Sequence, residues 1–297
     1  MRVFVTGATG FIGSAIIEDL IAAGHQVLGL ARNAEAAAVL AKRGIAAHLG
    51  DVSQPDSLAE AARVCQGVIH TAFIHNFADI ATSGKIDRLA VQAMGEALAG
   101  SGKPLVITSG TAVLPAGTEG SEDDAADPDS AGKHRIPSEQ TALGFAARGV
   151  RASVVRLPPS VHGDGDHGFV PALIGIARGT GVSAYIGDGG NRWPAVHRLD
   201  AARLFRLVLE HGAAGACYHG VADGGVPTRE IAEVIGRQLN LPVVSKSPSE
   251  AAAHFGWLAH FFGRDCPASS ARTQQELDWR PTHAGLIADL DRAAYFQ

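Results

Sequence analysis

Along the first half of the chain, short apolar runs (VFVTG, QVLGLA, AAHLG, GVIHTA, PLVITSG) alternate with longer stretches. In the longer ones apolar residues, many of them alanine, recur at helical spacing: FIGSAIIEDLIAAG, AEAAAVLAKRG, SLAEAARVCQG and a long segment through Met94. A strand with one face in water alternates apolar and polar positions, whereas these runs are continuous, so helices must cover both faces of the sheet. The pattern predicts an α/β fold built on a doubly wound parallel sheet. Asp56 and Ser57 mark a helix start, and Gly24, Gly44 and Gly67 are read as glycines that end helices.

Leu114 to Gly132 carries six acids and two prolines with little apolar content, and is expected to be an exposed loop. The rhythm then resumes with a helix (SEQTALGFAARG), a strand (ASVVRLP), a glycine-rich turn (SVHGDGDHG), two more helices, a strand (ACYHGV) and a helix from Thr228 to Leu239. Beyond about residue 240 the strand rhythm fades, and SEAAAHFGWLAHFFG, SARTQQELDW and HAGLIADLDRAAYF read as amphipathic helices of a smaller C-terminal cap over the sheet's carboxyl edge. The expected organisation is a dinucleotide-binding domain over 1–160, rejoined by 198–225, with 161–197 and 226–297 forming a mainly helical substrate cap.

Composition narrows the function. A chain of 297 residues that is 46% hydrophobic with 36 glycines can bury a substantial core. The net charge of −5 comes from interspersed acids and bases, so no broad basic face is available for nucleic acid or an anionic membrane. The expected partner is a small-molecule substrate, with no nucleic acid and no membrane; a homodimer is left open. Cys65, Cys217 and Cys266 lie far apart in no ligand spacing, which suits buried thiols in a reducing compartment. MRVFVTGATG lacks the basic and apolar regions of a signal peptide and no long apolar run follows, so the cytoplasm is the expected location.

The stretch TGATGFIG sets Gly7, Gly10 and Gly13, with Thr9, Phe11 and Ile12 between and beside them, after the first strand and at the mouth of the first helix. The glycines allow a sharp turn, close approach of backbone to a diphosphate, and tight helix–strand packing, while the helix N-terminus attracts phosphate charge. This is a Rossmann-type dinucleotide signature. At the end of the second strand, where an acid would bind a ribose 2′-hydroxyl, the chain has Arg32 followed by Asn33. A guanidinium suits a 2′-phosphate, which favours NADP(H) over NAD.

TGATGFIG, LGDV, VIHTAF, VITSG, VVRLPPSVHG, WPAVHRLDAA and LDWRP occur in the order seen in the extended, epimerase/dehydratase-like short-chain dehydrogenase/reductases, and the chain resembles that family over nearly its whole length. The resemblance implies that Asp51 and Val52 flank the adenine, that Thr71, Ala72 and Phe73 line the cofactor ribose, and that Leu157, Pro158 and Ser160 stand by the nicotinamide.

That family uses Tyr-x-x-x-Lys with a Ser or Thr after the fifth strand. Setting the family's later glutamate on Glu139 places Arg135 at the lysine position and Ala131 at the tyrosine position. The chain therefore resembles the atypical members that lack the tyrosine. Arg135 can hold the nicotinamide ribose but will not deprotonate. Ser109 and Thr111 flank the usual hydroxyl position and can orient a carbonyl or imine; the alternative for both is a strand-end hydroxyl satisfied by backbone.

His162 is a candidate proton donor because imidazole titrates near neutrality, against the alternative of a turn or core histidine. Lys133 and His134 are further candidates. The run HGDGDH (His162, Asp164, Asp166, His167) is read as a turn rather than a metal site. Tyr185, Arg192, Trp193 and His197 bracket the stretch that faces substrate in relatives, the alternative being packing between cap and sheet. Three functions stay open: an NADPH-dependent reductase of a small carbonyl, imine or similar compound with a proton source other than tyrosine; a non-catalytic NADP-binding regulator or sensor; and a sugar-nucleotide epimerase or dehydratase, which the missing tyrosine disfavours.

Overall fold

Strand and helix alternate from the amino terminus in the computed structural model, which describes residues 1–297 apart from the side chain of Phe77. The first half runs β1 (Arg2–Thr6), α1 (Phe11–Ala22), β2 (Gln26–Ala31), α2 (Ala34–Lys42), β3 (Ala46–Leu49), α3 (Pro55–Arg63), β4 (Gly67–His70), α4 (Ile80–Leu98) and β5 (Pro104–Gly110). After the acidic loop come α5 (Ile136–Gly144), β6 (Arg151–Leu157), β7 (Ser160–His162), α6 (Phe169–Thr180), β8 (Ser183–Ile186), β9 (Arg192–His197), α7 (Arg198–His211) and β10 (Cys217–His219). The remainder is β11 (Asp223–Pro227), α8 (Thr228–Leu239), β12 (Val243–Lys246), α9 (Pro248–Phe255), α10 (Ala259–Phe262), α11 (Ala271–Leu277) and α12 (Leu286–Leu290).

The main sheet has seven strands in the order β10-β6-β5-β4-β1-β2-β3, all parallel. The doubly wound class read from the apolar runs is the class observed. Chain direction across the sheet reverses between β1 and β4, and the carboxyl ends of those two strands form the crevice where such sheets bind ligands. One apolar cluster lies on the α1 and α7 side, with Ile16, Leu20, Leu204 and Phe205 fully enclosed; the other lies under α3, α4 and α5, with Leu58, Met94 and Leu105 fully enclosed. An ion pair from Arg206 to Asp19 (2.6 Å) and a hydrogen bond between His25 and Glu210 (2.8 Å) join α7 to the first helical unit.

Three features differ from the sequence reading. Gly67 does not end a helix: α3 closes at Arg63, and Gly67 opens β4, where Pro104 and Leu209 leave no space for a side chain. Gly24 and Gly44 do take the left-handed conformation, with φ of 83° and 70°. Strand structure also runs through the segments read as a mainly helical cap and, in β12, past residue 240. β7, β9 and β11 form a three-stranded sheet, and β12 pairs in parallel with β8 under a third apolar cluster from α6, α8, α9, α10 and α12. Finally, the acidic loop is exposed at Pro115–Glu119 but anchored beyond it. Glu122 is buried and accepts from Thr273 N (2.8 Å) and Oγ1 (2.7 Å), and Gly120 N donates to Pro267 O.

Candidate cofactor and active site

Gly7 follows β1 at φ +68°, and a Cβ there would stand 2.6 Å from Thr71 Oγ1 and 2.9 Å from Ala72 N. The turn closes through Gly10 N to Gly7 O (2.9 Å), and a Cβ on Gly13 would lie 2.8 Å from the Gly7 carbonyl carbon. Helix α1 then begins at Phe11 with no side-chain cap and no acid in its first turn. Its leading N–H groups are therefore uncompensated, and the exposed Thr9 and Gly10 leave them accessible. This cradle fits a dinucleotide diphosphate. Phe11, half-buried beside it, carries the Arg198 guanidinium 5.1 Å from its ring centre and His167 edge-on at 5.7 Å.

The pairing of Ala31 with Leu49 brings Arg32 and Asp51 to the same edge. Arg32 is exposed there. Asn33, its neighbour, is committed elsewhere, since its Oδ1 accepts from Ala36 N (2.8 Å) and caps α2. The Asp51 carboxylate accepts from Ser53 Oγ (2.6 Å) and N (2.9 Å), which hold its pKa below the usual range. Val52 is buried behind it.

Across the crevice, Thr6 Oγ1 accepts from Thr71 N and Ala72 N, both at 3.1 Å, and meets His70 Nδ1 at 2.7 Å. The other side of His70 reaches Asp87 Oδ1 (3.1 Å), while Asp87 Oδ2 takes Ser138 Oγ (2.5 Å) and Arg135 Nη1 (3.1 Å). Arg135 lies 3.9 Å above the ring centre of Phe73, which His75 and His134 also approach, at 5.2 and 5.8 Å. Burial alone would raise the Asp87 carboxyl, but Arg135, His70 and Ser138 together hold it below its ordinary range. The sequence reading missed His70, Asp87 and Ser138. A signal was there: Asp87 falls in helical register with Ala90, Val91, Met94 and Leu98, the buried stripe of α4.

Ser109 shares a sheet face with Leu105 and Ile107, the face covered by α4 and α5, and pairs with Arg156 on β6. Ser109, Thr111 and Ser160 are buried with hydroxyls to which no protein group bonds. Leu157 is buried and Pro158 follows it directly, between the strand end and Ser160. Glu139, the mark used to set the register, holds Arg156 in a buried bidentate pair at 3.1 and 2.8 Å. Because α5 starts only at Ile136, Ala131 lies outside the helix.

The remaining candidates pack on other elements, with His167 reaching back to Phe11 beside the cradle. His162 is fully enclosed: Nδ1 meets Asp289 at 2.8 Å, the ring packs edge-on against His197 at 5.4 Å, and Nε2 has no protein partner. Burial lowers its pKa against the opposing pull of Asp289. His197 caps α7 and stacks on His283 at 4.6 Å. The HGDGDH side chains diverge, with Asp164 on Arg292, Asp166 on Gly168 N and His167 on Phe11. Tyr185 lies under Arg229, Arg192 is paired with Asp265, and Trp193 is enclosed in the cap cluster with Nε1 donating to Phe261 O. Thus the neighbouring strands β1, β4 and β5 end at one sheet edge, which carries the glycine turn, Thr71–Phe73, Ser109 and Thr111 with Arg135 against Phe73, while Trp193 lies in a core.

The family model described as the NAD dependent epimerase/dehydratase family matches residues 3–221. The chain is 51% identical to "Uncharacterized protein C2A9.02" of Schizosaccharomyces pombe, with 100% of each chain covered. It is 30% identical to the 2-alkyl-3-oxoalkanoate reductase of Stenotrophomonas maltophilia, over 86% of this chain and 80% of that one. Among solved structures it resembles a dTDP-glucose 4,6-dehydratase of Streptomyces venezuelae determined with NAD, at a TM-score of 0.80 and 21% identity, covering 100% of this chain and 97% of that chain. No helix among the described residues is long and apolar enough to cross a membrane.

Proposed function

The chain belongs to the NAD dependent epimerase/dehydratase family, and from that premise we propose that it is an NADPH-dependent reductase of a small carbonyl or imine compound, with a proton source other than tyrosine. The observation that carries this reading is the pair Ser109 and Thr111, buried hydroxyls at the carboxyl end of β5 that no protein group satisfies. An unsatisfied buried hydroxyl costs about 1–3 kcal/mol. A substrate oxygen accepting from these hydroxyls relieves that cost and is thereby oriented.

The bound nicotinamide would supply the hydride. The glycine cradle would take the diphosphate, Arg32 the 2′-phosphate, and Arg135 with Thr71–Phe73, Leu157 and Ser160 the nicotinamide half. Likeness to a reductase that acts on a 3-oxoalkanoate supports carbonyl reduction. For the proton, burial and then Arg135 push His134 down to about 4, so it is neutral at pH 7 and a weak donor. His162 keeps Nε2 uncommitted beside Asp289, but it is fully enclosed and burial lowers it too, so a water relay is the proton source this reading favours and His162 is the histidine to test.

Sugar-nucleotide epimerisation or dehydration is disfavoured by the absent tyrosine. The placement of Ala131 outside α5 favours one other reading, a cofactor-binding sensor without turnover. The test is NADPH and NADH oxidation over aldehydes, ketones, cyclic imines and quinones, with Arg32→Ala in parallel. Turnover of at least one class, preferring NADPH in the parent and losing that preference in the variant, is expected. Tight NADPH binding with no turnover on any compound transfers the assignment to the sensor.

A further inference from the structure

Asp87 is 2% exposed and both its oxygens are in use. The proton positions around it follow from counting. Thr6 Oγ1 spends both lone pairs on Thr71 N and Ala72 N, so its own hydrogen goes to His70 Nδ1. His70 is then neutral and donates from Nε2 to Asp87. Ser138 is neutral as well, which leaves Arg135 as the cation paired with this carboxylate. Arg135 in turn stacks on Phe73, next along the chain from the Thr71 and Ala72 backbone that closes the glycine turn. The pair therefore stands at the wall where the reacting half of the cofactor would end.

A guanidinium paired with a buried carboxylate presents little net charge to its surroundings. Unpaired, it would act on a substrate anion through partly desolvated space. At about 7 Å and an effective dielectric near 20 that changes an equilibrium by tens of fold, and solvent screening reduces it to roughly tenfold. We infer that Asp87 sets the substrate class of the site: by neutralising Arg135 and pinning it against Phe73, it favours carbonyl compounds with no charge next to the reacting carbon and disfavours 2-oxo acids. The inference rests on the reductase reading of the same site.

The experiment compares benzaldehyde with phenylglyoxylate as substrates at pH 8. Burial lowers the pKa of both His75 and His134, so neither adds charge at that pH. In the parent, kcat/KM should strongly favour the aldehyde. Asp87→Asn should raise the ratio of phenylglyoxylate to benzaldehyde about tenfold, Arg135→Gln should lower it below the parental value, and the double variant should return it towards the parent. A purely structural role for Asp87 would depress both substrates together. An unmoved ratio in folded Asp87→Asn, or a double variant that keeps the shifted ratio, overturns the inference. If Asp87→Asn does not fold, an unmoved ratio in Arg135→Gln overturns it instead. Should no protein turn over either substrate, the reductase reading is left to the wider panel, and binding of benzoate against benzamide to the NADPH-loaded protein decides the charge question: the benzoate preference should rise about tenfold in Asp87→Asn, and an equal ratio refutes it.

Discussion

Replacing Gly10 or Gly13 by alanine separates cofactor binding from folding, because the two methyl groups meet different surroundings. A Cβ on Gly13 would fall 2.8 Å from the Gly7 carbonyl carbon and closer still to its oxygen, both backbone atoms. The turn and α1 must then move apart by on the order of 1 Å, a cost of about 1–3 kcal/mol by analogy with overpacked cores. At roughly 2–4 °C per kcal/mol for a chain approaching this size, Gly13→Ala should melt several degrees below the parent. Gly10 is different: its backbone is extended (φ −77°, ψ 171°), and its Cβ would find only Gly7 O, at 3.2 Å. Alanine is compatible with that conformation and orders the unfolded chain less expensively, so Gly10→Ala should change stability by no more than about 1 kcal/mol. Its methyl nevertheless projects at the exposed mouth of the cradle, where the diphosphate would touch backbone. Calorimetric titration with NADPH, beside thermal melting without cofactor, should give at least a tenfold weaker Kd for Gly10→Ala at a nearly parental melting temperature, and loss of both for Gly13→Ala. Parental NADPH affinity in Gly10→Ala would refute the placement of the cofactor on this turn.

Further outcomes follow from the buried charges. Glu139→Gln leaves the Arg156 guanidinium enclosed without its counter-ion and should cost about 3–5 kcal/mol, measurable by urea unfolding. Burial pushes Asp166 up to about 6, so the parent's stability relative to Asp166→Asn is greatest below the unfolded pKa near 4 and is lost as pH rises through 6. The carboxylate is partly exposed, so that loss should be only about 1 kcal/mol, read from melting curves between pH 4 and 8. If His162 is the donor, its lowered pKa places the decline of turnover with rising pH below 6.5, and His162→Asn should abolish that limb while sparing NADPH affinity; an unchanged profile removes His162 from the mechanism.

What the sequence by itself determined is local. Continuous apolar runs fixed buried parallel strands, and Gly7, Gly10 and Gly13 between a strand and a helix specified the cradle, because each effect acts within a few residues of its cause. Composition and spacing also revealed that no tyrosine precedes Tyr185. Tertiary structure decided which polar side chains meet. His70, Asp87, Arg135 and Ser138 come from a strand end, a helix stripe and the start of another helix, and only the packing of α4 and α5 on one sheet face makes Asp87 the counter-ion of Arg135. The pairing of β12 with β8 was likewise invisible, since strand partners 60 residues apart, as Val243 and Ser183 are, leave no periodic trace in either segment. Trp193 was equally ambiguous, because an aromatic beside a substrate-facing stretch and an aromatic core residue have the same local pattern; the cap cluster that encloses it is assembled from α6, α8 and α10, and a contact between distant segments is set by burial of their combined surface rather than by either sequence alone.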